Sequence, residues 1–394
     1  MTPLLPGAPG PDGAPLMLGV MGGGQLARMF VHAAQTMGYR TAVLDPNPDS
    51  PAGLIAHRHL RCAYDDEAGL ADLAAACAAV TTEFENVPAQ ALALLARTLP
   101  VAPAAAAVAV CQDRAAEKAH FASQGVRCAP HLRIESEADL ARADAALFPA
   151  ILKTARLGYD GKGQLAVADR GALPAAWRQL RAVPCVLEQR LALAREISVV
   201  VARGADGVGV HLPVQQNLHR DGILAVTIAG APEVPAPTQQ RAVAQAARLA
   251  ASLGYVGVLC VEFFVLDDGS LVANEMAPRP HNSGHHSLDS CDLSQFELQL
   301  RCLARLPLQQ PRQHSAAVML NLLGDLWFVG GQGPARTPAW DAVLALPGAH
   351  LHLYGKLEPR PGRKMGHLTV TAADDAAALR TARAAAARLG LPDF

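Results

Sequence analysis

Short apolar runs alternate with stretches of helical period over the first quarter of the chain. The segments MLGVM, TAVLD and AAVTTEF read as strands. Leu26 to Met37 reads as a helix closed by Gly38, and Ala89 to Arg97 as another. That alternation predicts a parallel sheet with helices on both faces. From about Cys111 the pattern changes. DRAAEKAHFASQG is a polar helix stopped by Gly125, and AILKTA, QLAVA and PCVLEQ are short strands around a glycine-rich turn. EISVVVARGADGVGVHLPV and GVLCVEFFVLDDGSLVANEM each predict a hairpin, with an Ala-rich helix (Gln239 to Leu253) between them and another helix, Ser294 to Leu303, after them. The remainder mixes strands with a final Ala-rich helix. The expected fold class is α/β with α+β elements. Its expected units are residues 17–112, 113–306 and 307–394, after a Pro- and Gly-rich extension, 1–16, expected to be disordered.

Composition narrows the function. Hydrophobic residues make up 51% of the 394 and charged residues 18%, enough apolar material for a sizeable core. A net charge of −1 argues against nucleic acid or a membrane surface as partner. The eight cysteines form no CxxC and no zinc spacing, so they are expected as small buried fillers in a reducing, cytoplasmic setting. Residues 1–16 contain no Lys or Arg, unlike a signal or transit peptide, and no apolar run approaches the ~20 residues of a membrane span.

Several motifs carry chemistry, each beside a plainer reading. Gly22, Gly24 and Ala27 fit G-x-G-x-x-A between a strand and a helix, with Asp45 ending the next strand. Such a helix N-terminus offers backbone N–H groups to phosphate, although glycines also serve merely for tight turns. In LGYDGKGQ, Gly158, Gly161 and Gly163 make a loop able to close over phosphates, with Lys162 at its tip and Gln164 at its end. Lys153 would add a fixed charge from an apolar strand. In VLEQRLALAREISVV, backbone at a strand end can meet an adenine edge and Glu196 a ribose, or the glutamates are simply exposed.

The second hairpin invites arithmetic. A two-residue Asp268-Gly269 turn makes residues face each other when their numbers sum to the same value, and Glu262 then lies opposite Glu275. Cys260, Phe264 and Ala273 are expected on the same face. Two facing carboxylates repel unless a cation lies between them, and oxygen ligands suit Mg²⁺ beside phosphate oxygens. Near the C-terminus, Lys356, Arg360, Arg363, Lys364 and His367 cluster in an otherwise near-neutral chain. A local cluster fits a small anion such as a sugar phosphate, or a solvated basic turn.

Together these blocks resemble the ATP-grasp superfamily. GGGQLARM, TTEFENVP, KTARLGYDGKGQ, NEMAPRPHNSGHH and HLYGKLEPRPGRKMGH resemble in particular its 5-(carboxyamino)imidazole ribonucleotide synthase family. The resemblance implies a Rossmann-like N-terminal domain, an ATP-grasp domain and a small C-terminal domain. It implies carboxylation of 5-aminoimidazole ribonucleotide by ATP and bicarbonate through carboxyphosphate, in purine synthesis. Arg114, Lys153, Gly158, Tyr159, Asp160, Gly161, Lys162, Gly163, Gln164, Glu188, Gln189, Arg190, Leu191, Glu196, His219, Asn274 and Glu275 would then hold ATP. Glu262 and Glu275 would bind two Mg²⁺ ions, with Mn²⁺ as an alternative. Arg279, His281 and Asn282 would hold bicarbonate. Gln25, Leu26 and Glu83 would meet the ribonucleotide, Tyr159 and Asp160 would approach its amine, and Lys356, Arg363 and Lys364 would take its 5′-phosphate. A homodimer is also implied. Arg156-Leu157 departs from the small residues usual before the glycine loop. Rival readings are an NAD(P)-binding oxidoreductase built on Gly22, Gly24, Ala27 and Asp45, another ATP-grasp ligase such as a formate-dependent glycinamide ribonucleotide transformylase, and a non-catalytic grasp fold.

Overall fold

The computed structural model describes residues 2–158, 161–328 and 333–394. Four parallel strands open the chain: β1 (Met17–Met21), β2 (Arg40–Leu44), β3 (Arg58–Leu60) and β4 (Ala79–Thr82). They lie in the order β3-β2-β1-β4, with Val20 between Val43 and Thr81. Both faces of β1 are buried, as its uninterrupted apolar run requires. The strand β3 and the helix Glu67–Ala76, capped by Asp66, are elements that the apolar pattern does not signal.

A second sheet holds β5 (His131–Ile134), β6 (Ala150–Thr154), β7 (Gln164–Val167) and β8 (Cys185–Gln189), all antiparallel, in the order β5-β8-β6-β7. The third sheet is larger. It comprises β9 (Arg195–Arg203), β10 (Gly209–His211), β11 (Gln215–Arg220), β12 (Ile223–Ala229), β13 (Gly257–Val265), β14 (Leu271–Ala277), β15 (Ala316–Leu323), β16 (Ala349–Leu353) and β17 (Lys364–Ala372). The order is β14-β13-β9-β11-β12-β15-β17-β16, with β10 on β9. Val226 pairs with Leu320, so this sheet runs unbroken through the boundary expected near residue 307.

One helix locks the sheets together. Gln295–Ala304 buries Leu298 and Cys302 against Val200 and Val258 of the large sheet, and Leu300 and Leu303 against Phe30 and Val31 of the helix Gln25–Thr36. Ser294 caps it by accepting from Glu297 N. On the far face of the large sheet, Ala246 and Leu249 of the helix Ala236–Ser252 cover Val199, Leu259 and Val261.

The N-terminal extension is not the disordered segment expected. Leu4 and Leu16 pack beside Phe30 and Tyr39, and Arg40 pairs with Asp12 at 2.7 Å. Leu4 N donates to Ala304 O at 2.9 Å, which satisfies a carbonyl at the open end of the locking helix. Among the described residues, no helix is long and apolar enough to cross a membrane.

Candidate active site

The small β5–β8 sheet and the large sheet face each other across a cleft of about 340 Å³. Asp113 caps the helix Arg114–Ser123, accepting from Ala115 N at 3.0 Å and Ala116 N at 3.2 Å. That cap fixes the first turn, from which Arg114 reaches Glu275 Oε2 at 2.8 Å. Lys153 enters from β6. Ile151, Leu193, Leu224, Phe264 and Met276 give one part of the cleft an apolar lining. Gly158, Gly161, Lys162 and Gln164 line it too, and Gly163 O accepts from Thr154 N at 2.8 Å. Tyr159 and Asp160 lie outside the described residues.

Glu262 does pair with Glu275, but not for the reason the turn suggested. Near the turn, Val265 pairs with Leu271 and Phe263 with Ala273, one residue out of the expected register. The loop is therefore Asp267-Asp268-Gly269, with Gly269 at φ +74°. A bulge at Asn274 then restores the register, so that Glu262, Val261 and Cys260 meet Glu275, Met276 and Ala277. One consequence corrects the expected face. Ala273 packs into the core with Val261 and Phe263, while the bulge turns both Asn274 and Glu275 toward the cleft.

The carboxylates are electrostatically unlike. Burial and the neighbouring Glu275 charge push the Glu262 carboxyl up. Burial pulls Glu275 the same way, but Arg114 and Lys153 outweigh it and hold that carboxyl down. His281 Nε2 lies 3.3 Å from Glu262, and Asn274 Nδ2 donates to Glu262 Oε2 at 3.4 Å. Lys153 Nζ reaches Asn274 Oδ1 at 3.5 Å. Two opposed carboxylates, one raised by burial and by the other's charge, form a pair of oxygen donors that fits a hard divalent cation, with the Asn274 amide beside them.

Glu188 lies beneath the cleft rather than in its lining. Its carboxylate sits between Lys153 at 3.0 Å and Lys118 at 3.2 Å. Burial opposes its charge, and the two lysines outweigh burial and hold it low. The rest of that segment points elsewhere: Gln189 Nε2 donates to Ala146 O at 3.0 Å, Arg190 N to Pro149 O at 2.8 Å, and neither these nor Leu191 line the cleft. Glu196 does line it, paired with His219. Burial lowers His219, but Glu196 and Glu262 prevail and raise it.

Beyond β14 the chain delivers Arg279, His281 and Asn282 into the same cleft. Arg279 is held by Glu85, whose own charge is favoured by that guanidinium against the cost of burial. Burial and Arg279 push the His281 imidazole well down, so it is neutral. Both polar atoms of the Asn282 amide are buried without a hydrogen-bond partner, although Asn282 borders the cavity. Orphaned buried polar atoms facing a cleft are open to hydrogen bonds from a ligand or an ordered water there. Lys364 arrives from β17, the far end of the large sheet. Lys356 donates to Lys364 O at 2.6 Å and Arg363 to Glu358 O at 2.7 Å, so both stand beside Lys364 but outside the lining.

The glycine turn after β1 is already filled. Gly24 N donates to Glu83 Oε1 at 2.9 Å, Ala27 N to Glu83 Oε2 at 3.3 Å, and Gly23 N to Asp45 Oδ2 at 2.7 Å. Asp45 also accepts from the Tyr64 hydroxyl at 2.7 Å. A Cβ on Gly24 would stand 2.4 Å from Glu83, so the glycine makes room for a carboxylate and the phosphate reading of this turn is corrected. The acid that an NAD ribose requires is likewise engaged. Gln25 is half-buried at the start of that helix, and Leu26 packs on Phe296 and Tyr354.

Sequence reasoning missed Glu85, Gln112, Glu117 and Lys118. Gln112 Nε2 donates to Glu85 O at 2.6 Å and Val87 O at 2.7 Å, shaping the loop that holds Arg279. Glu117 accepts from Met276 N and is pushed to about 8 by burial and the Glu275 charge. The polar face of DRAAEKAHF, with Arg114, Glu117 and Lys118 at helical spacing, was the available signal.

Three family descriptions match consecutive parts of the chain: the ribonucleotide synthetase preATP-grasp domain over residues 16–112, the ATP-grasp domain over 119–296, and the phosphoribosylaminoimidazole carboxylase C-terminal domain over 317–381. An N5-carboxyaminoimidazole ribonucleotide synthase of Brucella melitensis is 44% identical over 355 residues, covering 89% of this chain and 95% of that protein. The crystal structure of an N5-carboxyaminoimidazole ribonucleotide synthetase in its ADP complex superposes with a TM-score of 0.88 at 36% identity, covering 98% of both chains. The Aspergillus clavatus synthase in complex with ADP and 5-aminoimidazole ribonucleotide superposes with a TM-score of 0.87 at 30% identity, covering 95% of this chain and 98% of that one.

Proposed function

Because the chain belongs to the N5-carboxyaminoimidazole ribonucleotide synthase family, we propose that it uses ATP and bicarbonate to carboxylate the exocyclic amine of 5-aminoimidazole ribonucleotide. The products are 5-(carboxyamino)imidazole ribonucleotide, ADP and phosphate, in de novo purine synthesis. One observation carries the reading: a single cleft collects Lys153, Glu262 and Glu275 of an ATP site, Arg279, His281 and Asn282 of an anion site, and Lys364 from the C-terminal strands.

The residues divide the work. Lys153 and Arg114 supply fixed positive charge for the phosphates as the γ-phosphoryl group moves to a bicarbonate oxygen. Glu262 and Glu275, with Asn274, would hold Mg²⁺, which when bound neutralises charge on the transferred group. Arg279 pairs with the bicarbonate anion, while neutral His281 and the unsatisfied Asn282 amide hold it by hydrogen bonds. Carboxyphosphate is readily hydrolysed, so the glycine loop over residues 158–163 serves to exclude water. The carboxyl carbon passes to the substrate amine, and the amine proton goes to the departing phosphate or to Asp160. Lys364, Lys356 and Arg363 take the 5′-phosphate. Gln25, Leu26 and Glu83 flank the imidazole end. The same reading makes the enzyme a cytoplasmic homodimer, which light scattering on the purified protein tests.

The deciding experiment is ADP release measured with bicarbonate and 5-aminoimidazole ribonucleotide supplied separately and together. Release that needs both is expected. Turnover with formate and glycinamide ribonucleotide instead, or no nucleotide hydrolysis at all, sinks the proposal.

A further inference from the structure

A buried group of histidines between the large sheet's C-terminal strands and the anion segment has no part in the chemistry above. At its centre is His367, fully buried on β17 three residues after Lys364. Its Nδ1 meets the Tyr354 hydroxyl at 2.9 Å, and Tyr354 stands two residues before Lys356. Its ring lies 4.9 Å from that of His285. His285 Nδ1 accepts from Gln295 Nε2 at 2.9 Å, the same amide nitrogen donates to His281 O at 2.7 Å, and Gln295 Oε1 accepts from His281 N at 2.8 Å. Both amide protons are thereby used, so His285 must present a bare Nδ1 and carry its proton on Nε2. Burial, which pushes His285 well down, agrees with that neutral tautomer.

The group is not a metal centre. Asp289, His352 and His367 bring ligand atoms within 4.8 Å of one another. The His352 and His367 rings, however, are stacked 4.5 Å apart with planes only 11° from parallel. Lone pairs in two such planes cannot converge on one ion. Asp289 instead takes His352 Nε2 at 2.9 Å, which orients the outer ring of the stack.

We propose that His367 is a positioning residue: through Tyr354, and through His285 and Gln295, it ties Lys356 and Lys364 to His281. This rests on the synthase reading, in which the lysines face the 5′-phosphate and His281 faces bicarbonate. The two substrates bind on opposite sides of a bond to be formed, and misplacement by about 1 Å costs on the order of 100-fold in such a reaction. A rigid tether of aromatic rings and one doubly bonded glutamine sets their separation more stiffly than two lysine side chains can.

The test compares His367→Phe, His367→Asn and Tyr354→Phe with the wild type in steady-state kinetics. Phenylalanine keeps the ring and loses the Nδ1 contact, whereas asparagine keeps a hydrogen-bonding atom near Nδ1. Tyr354→Phe removes only the hydroxyl and decides the matter if the His367 variants do not fold. His367→Phe should raise KM for the ribonucleotide and for bicarbonate by at least about fivefold, with KM for ATP within about twofold. His367→Asn should recover most of that loss, and Tyr354→Phe should raise KM for the ribonucleotide. A lowered Tm with kcat and all three KM values unchanged overturns the proposal, as does an unaltered Tyr354→Phe enzyme. If the wild type itself shows no ADP release dependent on both substrates, the synthase reading has failed instead.

Discussion

Glu188→Gln separates two roles for one buried carboxylate. The family resemblance assigns Glu188 to ATP, yet its oxygens lie 3.0 Å from Lys153 and 3.2 Å from Lys118, with side-chain exposures of 5%, 10% and 1% respectively. At about 3 Å and an effective dielectric near 20, each attraction is worth about 5 kcal/mol before desolvation. Removing one partner from such a group leaves two buried cations, and the measured cost of such a change is about 3–5 kcal/mol. For a unit of this size that is a fall in Tm of roughly 6–20 °C. The pH dependence has a defined sign. The Glu188 carboxyl is held down by Lys153 and Lys118 against burial, so its contribution is present above the ordinary carboxylate range and is lost as pH falls through its lowered value. The gap between wild type and variant should therefore narrow in acid. Differential scanning calorimetry from neutral pH downward reads both effects. A Tm within about 2 °C of wild type, together with a raised KM for ATP, would refute the structural role and return Glu188 to direct nucleotide contact.

Three further outcomes are expected. Glu275→Gln should lower ADP release by about 100-fold or more while the circular dichroism spectrum is retained, and near-normal activity would remove Glu275 from the metal site. Lys356→Ala should raise KM for the ribonucleotide far more than KM for ATP, and an equal rise in both would take Lys356 out of the phosphate site. Leu157 holds φ +62° with its side chain 72% exposed, a left-handed conformation that costs a branched residue about 1–2 kcal/mol. Leu157→Gly relieves it at an entropic cost of about 0.5–1 kcal/mol, so a small gain in thermal stability is expected, and a clear loss would mean the leucine makes a contact worth more than its strain.

The motifs were legible because local chemistry repeats where backbone geometry repeats. Strand periodicity and the DDGS turn located the β13–β14 hairpin and paired Glu262 with Glu275. The pairing nonetheless came from two compensating errors, a loop one residue longer and a bulge at Asn274. A bulge has no periodic signature. It arises where tertiary packing, with Ala273 in the core and Asn274 at Lys153, requires both Asn274 and Glu275 on the cleft side. The filled glycine turn shows the opposite limit. G-x-G-x-x-A specified a helix N-terminus able to bind an anion, but whether the anion is a phosphate or Glu83 depends on where β4 ends.

The sequence by itself therefore determined the types of the strongly periodic elements, though not β3 or the helix Glu67–Ala76, together with the resemblance to a ligase family and the residue types of the site, from Lys153 to the NEMAPRPHN run. Those properties follow from side-chain chemistry and near-neighbour spacing. Only the tertiary structure decided which of these residues share a cavity. Glu188 withdrew beneath the cleft because two lysines from separate elements claim it, and Glu85 entered because a loop of the first unit reaches Arg279. Lys364 reached the site by the pairing of β12 with β15 and β15 with β17. Such juxtapositions come from sheet order and helix packing over long sequence separations, where no local periodicity carries the information.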